Sequence, residues 1–184
     1  MVENLIYIVA AYLIGSVPFG YLAGRMNGLD LREHGSRNIG ATNAVRVLGK
    51  KWGIPVFVCD FLKGYLPLLF MAQHLGGDVT TFDAAQMGWF LGVLFALVLG
   101  HTFTCYLNFK GGKGVATTGG CLFAVSPIVG WASVATWIVC MLFTRYVSLS
   151  SMAAGLAMMS AAVYVFCWHS APRAFATAAA VGRG

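Results

Sequence analysis

Charge is scarce in this chain. Of its 184 residues only 10% are Asp, Glu, Lys or Arg, and just 6 are acidic. A soluble domain carries about a quarter charged residues, so with 59% of residues hydrophobic a water-soluble globule is excluded. Carboxylates end at Asp83, which leaves the second half of the chain without an acid or base of that kind. The 5 cysteines, at 59, 105, 121, 140 and 167, lie in apolar stretches and form no C-x-x-C pair. A disulfide framework and a zinc site are thereby excluded, and the cysteines read as small apolar thiols. No set of His, Cys and carboxylate has metal-ligand spacing, and neither a metal nor another cofactor is expected. A G-x-S-x-G elbow is missing, which excludes the usual serine hydrolase arrangement. Fixed-period repeats and low-complexity linkers are absent too, so residues 1–184 are expected to form a single membrane domain.

What remains is long apolar stretches punctuated by clustered charge. The N-terminus lacks the basic region and cleavage site of a signal peptide, and its apolar run Leu5–Gly24 is long enough to span a bilayer. Arg25, Asp30, Arg32, Glu33, Arg37, Arg46, Lys50 and Lys51 then share one connection. Its basic excess places it on the cytoplasmic side and the N-terminus outside. The net charge of +6 therefore reports inner loops facing anionic headgroups, not a nucleic-acid partner. A second span runs from about Gly53 to Leu75 and contains Asp60 and Lys63, which share a helix face and should pair or point inward. An acidic outer loop, Gly76–Asp83, leads to a third span, Ala84–Leu107. Residues 114–144 are uncharged, and as one helix they would be about 46 Å long against roughly 30 Å of hydrocarbon. Pro127 suggests two short spans joined by a tight turn; one tilted helix is the alternative. A last span covers Tyr146–Trp168. The expected fold is an all-α polytopic bundle of about six spans. Gly20 with Gly24 and Gly88 with Gly92 are spaced for close helix approach.

Two inner connections carry the candidate chemistry. Residues 35–46 combine Ser36, Asn38, Thr42, Asn43, Arg37 and Arg46 with glycines that let backbone N–H groups approach a ligand. Such a set suits a small phosphorylated polyol, since arginine grips a dianion with a fork of donors. It would equally serve as a solvated turn whose Ser and Asn cap neighbouring helices. The second connection, Asn108 to Gly114, holds Lys110, Gly111, Gly112, Lys113 and Gly114 at the mouth of a helix, where an anion is favoured. It is not a Walker loop, because Leu107 and Gly114 stand where Gly and Ser or Thr are required. A positive-inside anchor or a flexible link would share its composition. No histidine is followed five residues later by an aspartate, so the His–Asp base of common glycerolipid acyltransferases is missing.

In order and spacing these segments resemble the bacterial acyl-phosphate:glycerol-3-phosphate acyltransferase family. The likeness begins at Gly15-Ser16-Val17-Pro18-Phe19-Gly20 and continues through Gly35-Ser36-Arg37-Asn38-Ile39-Gly40-Ala41-Thr42-Asn43. It takes in Arg46, Asp60-Phe61-Leu62-Lys63-Gly64, Gly100-His101 and Phe109-Lys110-Gly111-Gly112-Lys113-Gly114, and reaches Arg145-Tyr146-Val147-Ser148-Leu149. The resemblance implies a multi-pass enzyme of the bacterial cell membrane with its active-site loops on the cytoplasmic side. It implies transfer of an acyl group from acyl phosphate, not acyl-CoA or acyl carrier protein, to the 1-hydroxyl of glycerol 3-phosphate. It also implies a soluble acyl-phosphate-forming enzyme as functional partner. Ser36 and Arg46 match the family's essential first-motif residues, and Gly111, Gly112, Lys113 and Gly114 its phosphate-binding second motif. Asn38, Asn43 and Lys110 join these as substrate contacts.

The family has a seventh span followed by a third motif containing His and Asn. Here no Asn follows Asn108, and His169 sits beside the expected outer end of the sixth span. His169 is therefore read as an interfacial histidine, and residues from about 170 to 184 as truncated or divergent. Two readings compete with the enzyme: a transporter or channel for a phosphate compound, or an inactive truncated homologue. A transporter would place its binding groups near the bilayer midplane on broken helices.

Overall fold

The computed structural model describes residues 2–161, and among them all regular structure is helical. The long helices are α1 (Val2–Ser16), α2 (Phe19–Met26), α3 (Ala41–Leu48), α4 (Lys50–Leu75), α5 (Ala84–Thr102), α6 (Val115–Val125) and α7 (Pro127–Thr144). An eighth, α8, covers Val147–Ala161. Four segments are long and apolar enough to cross a membrane: Val2–Met26, Lys50–Leu75, Ala84–Leu107 and Pro127–Thr144; α6 and α8 are shorter and also apolar. These six stretches coincide with the six expected from charge spacing, although residues 162–168 of the last, together with Cys167, His169 and 170–184, lie outside the described residues.

Two compact units result, one running to Val125 and the other beginning at Ser126. Their boundary is the break expected at Pro127. Ser126 is extended (φ −158°, ψ 116°) and Pro127 opens α7. A proline at the first helical position gives up no hydrogen bond and disfavours the α region for the residue before it, so the chain ends α6 and starts a new helix here, whereas α4 runs on through Pro55 and Pro67. Within the second unit Trp137 Nε1 donates to Ser151 Oγ at 3.3 Å, joining α7 to α8.

The first unit is held by two close crossings, α4 with α6 and α1 with α5. Both depend on glycine. A Cβ on Gly64 would meet the backbone oxygen of Thr117, and one on Gly120 the backbone oxygen of Phe61. Gly15 and Gly100 face Leu97 and Tyr12 backbone in the same way. The four-residue pairs noted in the sequence are used differently. Gly20 abuts the Ile39 carbonyl, Gly92 faces the Ile8 side chain, and nothing lies within 4 Å of a Cβ on Gly88. Spacing alone marked four candidates, whereas backbone contact selects those facing a partner helix. Around the crossings pack buried apolar side chains, among them Phe90, Leu97, Leu68 and Met71. Phe143, Ile128 and Val2 are strongly exposed, as outward residues of a membrane protein should be.

The first span is not one unbroken helix. α1 stops at Ser16 and α2 starts at Phe19, with Pro18 between at φ −94° and ψ 74°. Pro18 favours this break as Pro127 does, and the chain closes it locally, Val17 N donating to Ile14 O and Phe19 N to Val17 O. At the other end of the bundle the connection from α4 to α5 is closed by a reciprocal cap. Asp83 accepts from Gln86 N at 2.8 Å while Gln86 Oε1 accepts from Asp83 N at 2.9 Å.

Candidate functional site

The first polar connection is organised around Asn43, which is almost fully buried. Its Oδ1 accepts from Ser36 N at 2.8 Å. Its Nδ2 faces three carbonyl oxygens, those of Leu31 at 3.1 Å, His34 at 3.0 Å and Asn38 at 2.8 Å. Asn38 makes a local turn, its Oδ1 accepting from Gly40 N at 2.8 Å. Gly35 and Arg37 both have positive φ, near 60°, which lets the chain fold back over Asn43. Nothing larger than glycine fits at 35, because a Cβ there would strike Asn43 Oδ1 and lie 3.4 Å from Arg46 Cδ. The Arg46 stem thus passes beside the residue that precedes Ser36. The Ser36 hydroxyl and the Arg46 guanidinium, both exposed, make no hydrogen bond or ion pair within the described residues. The Asn43 amide is spent on the loop's own backbone and Asn38 Oδ1 on Gly40 N, whereas the Ser36 hydroxyl and Arg46 guanidinium stay outside this network.

Nearby, Arg32 forks onto Asp30, with Nη2 2.6 Å from Oδ2 and Nε 3.0 Å from Oδ1. That hydrogen-bonded guanidinium holds the Asp30 carboxyl below the usual carboxylate range. Arg32 also lies over the Tyr21 ring, 4.8 Å from its centroid, so this arginine is committed to structure.

The second connection leaves α5 and is stitched to that helix's last turn. Gly111 N donates to Thr102 O and Gly112 N to His101 O, each at 3.0 Å. Both acceptors are carbonyls that a helix end leaves without internal partners. The two glycines are required by this approach, since a Cβ on Gly111 would meet the His101 carbonyl and one on Gly112 the His101 ring. Gly114, at φ +73°, turns the chain into α6. Lys110 and Lys113 are exposed, and neither ammonium is paired within the described residues. With the N–H groups of Gly111 and Gly112 engaged, the donors remaining for an anion are these two ammonium groups and the first N–H groups of α6.

Beneath the loops lies a buried polar network that the sequence only partly announced. Asp60 and Lys63 pair at 2.8 Å with side chains 3% and 4% exposed, as their shared helix face led us to expect. Lys63 Nζ also donates to the Val17 carbonyl at 2.8 Å, satisfying an acceptor freed by the break before Pro18. Thr104 Oγ1 donates to the Ser16 carbonyl at the same break. His101 Nδ1 stands 3.2 Å from Thr117 Oγ1 and 3.6 Å from Asp60 Oδ1. Thr104 and Thr117 are given no role by the sequence, and His101 enters there only within the Gly100-His101 segment of the resemblance; a histidine within an otherwise apolar span was the available signal. Both connections consequently meet the break at 16–20, the first where the Ile39 carbonyl abuts Gly20 and the second through Thr104.

Similarity to known proteins is extensive. The sequence profile described as glycerol-3-phosphate acyltransferase matches residues 5–182. A glycerol-3-phosphate acyltransferase of Aquifex aeolicus (strain VF5) is 44% identical over 166 residues, covering 89% of this chain and 80% of that protein. The crystal structure of PlsY (YgiH), an integral membrane glycerol 3-phosphate acyltransferase, in its glycerol 3-phosphate form aligns with TM-score 0.79 and 40% identity. That alignment covers 91% of this chain and 78% of the PlsY chain. The lysophosphatidic acid form aligns with TM-score 0.76 at 39% identity, over 91% and 77% of the two chains. Buried ion pair, glycine-dependent crossings and polar loops therefore sit on a known membrane scaffold, and the chain belongs to the glycerol-3-phosphate acyltransferase family of integral membrane acyltransferases.

Proposed function

We propose that the chain transfers a fatty acyl group from acyl phosphate to the 1-hydroxyl of glycerol 3-phosphate, releasing lysophosphatidic acid and inorganic phosphate. The observation that carries this reading is the division of labour in the loops. Asn43, Gly111 and Gly112 use their polar groups on the fold, whereas Ser36, Arg46, Lys110 and Lys113 display a hydroxyl and three cations that are unpaired among the described residues. Two substrates that each carry a phosphate call for such a set. Arginine supplies a planar fork for one dianion, and lysines beside a helix N-terminus suit the other.

An acyl phosphate is a mixed anhydride, so its phosphate leaves readily and no covalent acyl-enzyme is needed. The oxygen of the acceptor 1-hydroxyl attacks the acyl carbonyl carbon, and the bond from that carbon to the phosphate oxygen breaks. Phosphate departs with the bonding electron pair, and the hydroxyl proton passes to a phosphate oxygen. Arg46 and Lys113 hold the two phosphates and offset the charge that develops on the leaving group. Ser36 orients the acceptor hydroxyl; among the described residues no histidine or carboxylate hydrogen-bonds the serine hydroxyl to activate it as a nucleophile. Asn38 and Asn43 contribute by shaping the loop that presents Ser36. The basic connections face the cytoplasm, where a soluble enzyme delivers the acyl phosphate, and the bilayer receives the lipid product.

The test is one reaction: purified protein with acyl phosphate and glycerol 3-phosphate, beside Ser36→Ala and Lys113→Ala. Lysophosphatidate formed by the parent and lost in both variants is the expected result. An acylated Ser36 trapped during turnover would overturn direct transfer, and solute flux without acyl transfer would favour a transporter.

A further inference from the structure

We propose that His101 is a positioning residue for the glycine loop, held in register by Thr117 and Asp60. The inference rests on the reading that residues 110–114 hold a substrate phosphate. His101 is 5% exposed and meets the loop twice. Its carbonyl accepts from Gly112 N, and its ring lies where a Cβ on Gly112 would stand. Ring orientation therefore decides where Gly112, and with it Lys113, can sit. On the ring's far side Nδ1 is 3.2 Å from the hydroxyl of Thr117, a residue in the first turn of α6. Asp60 Oδ1 is 3.6 Å from the same nitrogen. Asp60 is itself fixed by Lys63, which is anchored on the Val17 carbonyl. One ring thus ties together α4, the end of α5, the start of α6 and the loop between the last two. The loop contains positive-φ residues at Asn108, Phe109 and Gly114, and loops of this kind do not hold such a conformation without surrounding support.

The geometry makes the two ring nitrogens unequal, and that inequality is testable. The terminal amide of asparagine reaches roughly the Nδ1 position, while that of glutamine reaches roughly the Nε2 position. Positioning through Nδ1 predicts that His101→Asn loses least and that His101→Gln raises the KM of a phosphate-bearing substrate about tenfold or more, with kcat less affected. Thr117→Val, which keeps shape and removes the hydroxyl, should act like His101→Gln, and Thr117→Ser should restore the parent. The assay measures KM for both substrates and inhibition by inorganic phosphate. In parallel, amide hydrogen exchange across residues 108–118 reads loop order without requiring turnover. Faster exchange in His101→Gln and Thr117→Val, but not in His101→Asn, together with the KM change, supports the inference. Unchanged exchange and KM in both impaired variants would overturn it while leaving the phosphate reading intact, provided Lys113→Ala still weakens inhibition by phosphate. Retained activity in His101→Gln with loss in His101→Asn would overturn it in favour of direct contact through Nε2. A loosened loop with phosphate inhibition unchanged, in these variants and in Lys113→Ala alike, would mean that the phosphate reading itself fails.

Discussion

Replacing Lys63 by methionine isolates the energetics of the buried pair. At 2.8 Å the attraction between Lys63 and Asp60 is about 6 kcal/mol at an effective dielectric constant of 20. Desolvating the two ions costs several kcal/mol each, so the intact pair is close to break-even against an apolar pair of similar volume. Breaking it is another matter. Lys63→Met leaves a carboxylate that is 3% exposed without its cation, a loss of about 3–5 kcal/mol. For a chain of this size that corresponds to a fall in Tm of about 6–20 °C. Adding Asp60→Leu removes the stranded charge and should restore part of the stability. Recovery is incomplete, because the Val17 carbonyl loses its charged donor and keeps only Phe19 N at 3.2 Å, a lost hydrogen bond worth about 0.5–1.5 kcal/mol. The measurement is a double-mutant cycle on thermal or denaturant unfolding in detergent. A double variant more stable than Lys63→Met alone is the expected result. Additivity of the two single losses within about 0.5 kcal/mol would refute the coupled pair.

Three further outcomes follow from the same geometry. Asn43→Ala orphans Ser36 N and the Asn38 carbonyl, takes a donor from the Leu31 and His34 carbonyls, and should cost at least about 2 kcal/mol along with most activity; Asn43→Asp, which can accept but not donate, should fail to rescue either in paired unfolding and acyl-transfer assays. Gly120→Ala drives a methyl into the Phe61 carbonyl and should destabilise by about 1–3 kcal/mol, whereas Gly88→Ala, with open space around it, should be neutral or stabilising by up to about 1 kcal/mol in the same assay. Because the folded-state pKa of Asp30 is lowered, its contribution is present above the usual carboxylate range and is lost as pH falls through the lowered value. Unfolding followed against pH should therefore show parent and Asp30→Asn differing by less than about 1 kcal/mol at pH 6 and converging in acid.

The spans were legible because charge in a bilayer is expensive, so where Lys, Arg, Asp and Glu cluster the chain must be outside the hydrocarbon. Asp60 and Lys63 were legible by the same cost, since charges inside a span must find each other. Which glycines would carry the helix crossings was not legible. Gly88 and Gly92 satisfy the spacing rule as well as any pair, yet only a facing backbone makes a missing Cβ useful, and facing is a property of two segments distant in sequence. The candidate residues of the first loop were identified by chemical type, but type alone did not separate ligand groups from structural ones. Asn43 and Ser36 are both small and polar; one is buried with its amide bonded to four backbone groups, and the other is exposed with its hydroxyl unbonded among the described residues.

Pro18 shows most clearly what the sequence contained and the span count passed over. Its presence within an apolar run leaves hydropathy almost untouched, so Leu5–Gly24 reads as one helix. Unlike Pro55 and Pro67, which α4 accommodates, Pro18 stands at a break in the helix, and in an apolar interior the carbonyls of Ser16 and Val17 exposed there call for donors beyond Phe19 N. Thr104 satisfies one and Lys63 the other. Lys63 in turn requires Asp60, and Asp60 stands beside His101, whose carbonyl and ring set the glycine loop. A substitution that let residues 16–20 close into continuous helix would remove the acceptor that justifies a lysine at 63. The buried charges are thus a consequence of the broken span, and the loop that receives Lys113 is built on them.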